Sequence, residues 1–106
     1  MYTHKLSRNI TTDAGTFDAL TLDFDALSFA DLRSISTIRK MYESSEAMLE
    51  PRTDFGFCVA TAFVAAVKAT KGLLMQDVVK LSIEDVLALH DIAQDECFFR
   101  TKPSGA

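Results

Sequence analysis

The sequence predicts an α+β domain, mainly α, in which an N-terminal β-hairpin is followed by three main helices and a short helical turn. Three observations carry that reading. Leu20, Leu22 and Phe24 recur at every second residue, whereas Phe29, Leu32 and Ile35 recur at every third, so the period changes from strand to helix at Ser28. The run "FGFCVATAFVAAV" is apolar throughout. A serine followed three residues later by aspartate occurs twice, at Ser28/Asp31 and Ser82/Asp85, each time ahead of helical periodicity.

The hairpin is expected over 4–24. "HKLSRNIT" puts Leu6 and Ile10 on one face, "FDALTLDF" supplies the second strand, and "TDAGT" supplies the tight connection, with Gly15 free to take positive φ. A lone hairpin is marginal in water, so it must lie on the helices. The first helix starts at Ser28, carries apolar residues at 29, 32, 35, 38 and 41/42, and ends near Tyr42 with Arg39 and Lys40 in its last turn, where cations suit the dipole. "ESSEAMLEPRTD" reads as a polar connection with Met48 and Leu49 inside it. The second helix is expected from Asp54 to Lys71, stopped by Gly72 and kept slim by its alanines. "LLMQDVVKL" reads as a short helix or turn, and Ser82 opens a last helix reaching about Phe98. In that helix Ile83, Val86, Leu87, Ala93 and Cys97 are assigned to the core, with Leu89 and Ile92 widening the stripe to one side. "RTKPSGA" reads as a frayed tail.

The 106 residues, 48% hydrophobic, are enough for one domain, 1–106, with a real core. Net charge is -4 and evenly spread, with 8 acidic and 6 basic groups in residues 1–53 and 7 and 5 in residues 54–106. The apolar run covers 13 residues, short of the about 20 that a membrane span needs. With no signal-like segment at the N-terminus, the expected location is cytoplasmic. Cys58 and Cys97 are 39 residues apart, which fits neither a zinc knuckle nor a CxxC pair. Both are expected as reduced thiols packed like small hydrophobes.

No catalytic or metal constellation emerges. Asp23 and Asp25 lie on the polar face of a strand and lack the oxygen density and the bend glycine of a calcium loop. His90 has Gln94 at helical spacing but not the further donors a metal needs. The glycines form no phosphate loop, so no cofactor is expected. Residues 73–92 can be drawn as helix-turn-helix, but the would-be recognition helix carries Glu84, Asp85, Asp91, Asp95 and Glu96 and no Lys or Arg before residue 100. That charge repels phosphates, and nucleic acid is excluded as a partner.

"KLSRNITTDAGTFDALTLDF", "DALSFADLRSI", "KATKGLLMQDVVKL" and "SIEDVLALHDIAQDECFF", in that order, resemble the tail assembly chaperones of long-tailed bacteriophages and prophages. Phe24, Leu27, Asp31 and Leu32 fit the family's first half, and Gly72, Leu73, Leu81, Asp85, Leu89 and Phe98 its second. Phe29 stands where the family often has Gly. The resemblance implies a non-enzymatic protein of the bacterial cytoplasm, outside the mature virion, that keeps the long apolar helices of the tape measure protein in solution. A frameshifted longer product is a further implication. Met41, Met48, Leu49, Leu89, Ile92, Phe98 and Phe99 are the candidate client-binding residues, because broad or flexible apolar side chains suit a helix-binding groove. The competing reading is a small regulatory or adaptor domain that uses the same stripe to form a homo-oligomer.

Overall fold

A computed structural model describes residues 1–42, 50 and 52–98, with Tyr42 and Phe98 described by backbone only. Strand β1 (Tyr2–Thr12) pairs antiparallel with β2 (Gly15–Leu22). Gly15 has φ 125°, which keeps the connection to two residues. Register shifts between Lys5 and Ile10, and Leu6, Ile10, Leu20 and Leu22 all face the core. The predicted hairpin is therefore present, and it lies on the helices as its marginal intrinsic stability demands.

The strand-to-helix junction is less abrupt than the periodicity predicts. Two short 3-10 turns, Phe24–Ala26 and Phe29–Asp31, precede helix α1 (Leu32–Tyr42). At Ser28 the Asp31 carboxylate accepts from the Ser28 backbone N–H at 2.7 Å, and the Ser28 hydroxyl donates to that same carboxylate at 3.3 Å. Asp31 also takes Lys68 Nζ at 2.9 Å, a bond that, ahead of the Ser28 contacts, holds its carboxyl below the ordinary range. Of the apolar stripe assigned to α1, Ile35 and Ile38 are buried, while Phe29 is 88% exposed and Leu32 and Met41 are half exposed.

Helix α2 (Phe55–Ala69) is the centre of the molecule. Every residue from Cys58 to Ala66 is buried, as expected of a helix that is apolar on all sides. Its alanines let α1, α3 (Ile83–Ala93) and β2 approach together. Asp54 caps its start by accepting from Phe57 N–H at 2.8 Å. At its other end Thr70 stands in for a neighbouring strand: its hydroxyl accepts from Thr21 N–H and donates to Thr21 C=O, both at 2.9 Å, so β2 is stitched to α2.

Gly72 follows with φ 89°, and a Cβ there would sit 3.0 Å from Ala14 Cβ in the hairpin turn. Gly72→Ala combines left-handed backbone strain with that contact. It is expected to cost about 1–2 kcal/mol, read as a lower urea midpoint at unchanged m. A 3-10 segment, Met75–Lys80, then leads to α3, whose last turn widens into a π-turn, Gln94–Phe98.

The rotation of α3 differs from the sequence expectation. Asp85, Leu89, Ile92 and Ala93, spaced i, i+4, i+7 and i+8, face inward, and Leu89 is fully enclosed. Ile83, Leu87 and Cys97, expected inside, are exposed. Leu89 and Ile92 are thus core residues of this chain and not surface available to a client. The physical reason is Asp85, which is drawn inward by partners on β1.

Candidate functional site

Asp85 occupies the third position of α3, where a capping-box carboxylate would normally turn back to the Ser82 backbone. Instead it is 1% exposed and reaches across to β1. Its oxygens accept from Ser7 N–H at 2.9 and 3.2 Å, from the Ser7 hydroxyl at 3.2 Å and from the Ser82 hydroxyl at 2.9 Å. His4 Nε2 lies 3.0 Å from Oδ1. Ser82 still caps the helix, accepting from Asp85 N–H at 3.2 Å. Burial alone would raise the Asp85 carboxyl, but the Ser7 backbone bond, His4 and the two hydroxyls outweigh it and hold the carboxyl below its ordinary value. Triad chemistry places the imidazole between carboxylate and nucleophile; in this cluster the carboxylate lies between the serines and the imidazole. The cluster fastens α3 to the hairpin.

With that face turned in, the opposite face of α3 turns out. Ile83 and Leu87 lie on it one turn apart, and Ile83 is 78% exposed; Val79, in the preceding 3-10 segment, is 72% exposed. Val79 also lines an apolar groove of about 200 Å³, together with Ile38 and Met41 of α1, Gly56 and Val59 of α2, Val78 and Leu81 of the 3-10 segment and its exit, and Val86 of α3. Gly56 has no side chain to fill the floor, and half-exposed Met41 forms an adaptable edge. An ion pair joins α1 to the start of α2. Arg39, 5% exposed, donates from Nε to Asp54 Oδ2 at 2.8 Å and from Nη2 to Oδ1 at 3.1 Å. The Arg39 bond, ahead of the Phe57 cap and against burial, holds the Asp54 carboxyl low.

Of the client-binding residues expected from sequence, Met41 lies in this groove. Leu89 and Ile92 do not, being enclosed. Met48, Leu49 and Phe99, and the side chain of Phe98, lie outside the described residues. Sequence reasoning missed Val79, Ile83 and Leu87 as exposed surface; the wide apolar stripe of α3 gave no reason to prefer the side that carries Ile83 and Leu87.

Among the described residues no three His, Cys, Asp or Glu side chains converge to hold a metal ion. Asp23 instead caps the first 3-10 turn by accepting from Asp25 N–H at 3.2 Å. His90 stacks on Phe55 and sits 3.1 Å from its neighbour Asp91. No described helix is long and apolar enough to cross a membrane. Comparison of the chain with protein-family models, with curated proteins and with solved structures finds no match to any of them.

Proposed function

We propose that this chain is a non-enzymatic assembly chaperone of the phage tail type, which holds an apolar helix of a tape measure protein in the groove between α1, α2 and α3. The observation that carries the reading is the apolar groove itself, lined from three helices and the 3-10 segment, with Val79 72% exposed in its lining. A monomer gains nothing in folding from leaving an apolar groove of this kind open, and such surface marks interaction sites. Side chains at intervals of four on a client helix would meet side chains at intervals of four on α3, with the client's largest anchors in the groove. The resemblance of the sequence to tail assembly chaperones is what supports a tape measure protein as the client and the bacterial cytoplasm as the place of action.

The test is co-expression of the full chain with the long helical protein encoded beside it. The client is expected in the supernatant and to co-elute with the chain. The double variant Val79→Glu/Ile83→Glu changes two exposed positions and is expected to shift stability by no more than about 0.5 kcal/mol per site, while client recovery falls at least about tenfold, equivalent to 1.4 kcal/mol of binding. A wild-type chain that leaves the client insoluble defeats the reading, as does a double variant that performs equally well. The adaptor reading predicts a different result, a homo-oligomer by light scattering that the same variant converts to monomer.

A further inference from the structure

The hairpin is a sheet of two strands, so each strand has an outer edge. In an antiparallel pair, residues facing each other alternate between exchanging both backbone bonds and turning both groups away. Thr21 is of the second kind, because its N–H and C=O both bond the Thr70 hydroxyl. Its partner Thr3 therefore turns its own N–H and C=O away from β2, and Lys5, opposite Ala19 two residues on, does the same. Further along the strand, Ser7 N–H is taken by Asp85, and Thr11 C=O accepts from Lys80 Nζ at 3.0 Å. Thr3 and Lys5 are exposed, and among the described residues no group bonds their outward-facing main chain. The outer edge of β1 is thus tied down at Ser7 and Thr11 and open at Thr3 and Lys5.

We propose that this open edge binds an extended acidic segment of a partner protein, which adds to β1 as a third, antiparallel strand. Main-chain bonds to Thr3 and Lys5 supply the attachment, as in other cases of strand addition. Because Ser7 N–H is already occupied, the added strand is short.

Charge selects the occupant. The chain carries -4 overall, yet residues 1–12 hold Lys5 and Arg8 and no Asp or Glu. Both cations are exposed, and neither joins an ion pair among the described residues. A residue that exchanges backbone bonds with Lys5 carries its side chain on the same face of the sheet, so a glutamate there meets the ammonium group across the strands. A second copy of β1 would instead set this basic strand against itself, and like charges across a strand pair destabilise it. Lysine on an edge is a common guard against such self-pairing, and it does not oppose a strand that brings carboxylates. The edge shares no residue with the apolar groove, so the two sites can be tested separately.

The probe is the blocked peptide acetyl-TEVEVT-amide, titrated to millimolar concentration into the isotope-labelled full chain and followed by NMR. The Thr3 and Lys5 amide signals are expected to shift saturably and to exchange more slowly with solvent. Replacing both glutamates of the peptide by lysine should weaken binding about tenfold. Methylating the two glutamate nitrogens, which removes main-chain donors and leaves the charge, should abolish it. Lys5→Glu, a change at an exposed position, should reverse the preference between the acidic and basic peptides. Unmoved Thr3 and Lys5 amides overturn the proposal, as does a methylated peptide that binds as well as its parent. Broadening of the same two amides with chain concentration, in the absence of peptide, also overturns it by making a second copy the occupant.

Discussion

Asp85→Ala is expected to lower stability by about 3–5 kcal/mol, the range for breaking a buried, hydrogen-bonded charge cluster from one side. The deletion takes the carboxylate acceptor from the Ser7 N–H and the charged partner from the His4 imidazole at the interface between β1 and α3, leaving the Ser7 and Ser82 hydroxyls, 2.8 Å apart, to each other. Ser82 survives as a cap, so the helix itself persists, and the loss falls on its docking. Asp85→Asn separates charge from shape: its amide oxygen can still accept from Ser7 N–H, but its NH₂ faces hydroxyls that had donated to the carboxylate. An intermediate cost of about 1–3 kcal/mol is expected, read by urea unfolding at pH 7.

The pH dependence follows from the direction of the shift. Because the folded Asp85 carboxyl lies below its unfolded value of about 3.9, its contribution is complete above that value and disappears as pH falls through the folded one. The difference between wild type and Asp85→Asn should therefore narrow below about pH 4. An Asp85→Ala chain within about 1 kcal/mol of wild type would show that some force other than this carboxylate sets the rotation of α3.

That rotation marks the limit of what the sequence carries. The hairpin was legible because Leu6, Ile10, Leu20 and Leu22 alternate with polar residues around a glycine, and α2 because its run of alanine and valine leaves no polar face. Both signals are local. Helix α3 holds Ile83, Val86, Leu87, Leu89, Ile92 and Ala93 within one short element, so periodicity permits several buried faces. The choice is made by a carboxylate that bonds a residue 78 positions away, and a Ser-x-x-Asp pattern read as a solvated cap cannot reveal that partner. The groove was hidden for the same reason: its walls come from four separate segments. Met41 was legible because a flexible apolar side chain suits a helix-binding groove wherever in the chain it stands.

Arg39, expected as a last-turn cation suited to the helix dipole, is found inside, and its removal is expected to have an effect of the same order. Arg39→Ala should cost about 3–5 kcal/mol, since the Asp54 carboxylate is left at the helix junction without its guanidinium and the arginine stem leaves a void under α1. Arg39→Lys keeps the charge but loses the two-pronged fit, and should recover less than half of the loss. The more telling variant replaces both partners. In Arg39→Met/Asp54→Ser, methionine fills the stem's volume and serine retains an oxygen for the Phe57 N–H, so no buried charge remains and α2 keeps its cap. The double variant should lie within about 1.5 kcal/mol of wild type although Arg39→Met alone loses about 2–3 kcal/mol. Arg39 belongs to α1, as Ile38 and Met41 do, and Asp54 caps α2, which carries Gly56 and Val59, so the pair ties together the two helices that supply these lining residues. If the groove receives the client, Arg39→Ala should weaken client recovery even at a temperature where the variant is folded, and the double variant should restore it. Restored stability without restored recovery would move the client-binding surface away from this groove and onto another part of the chain.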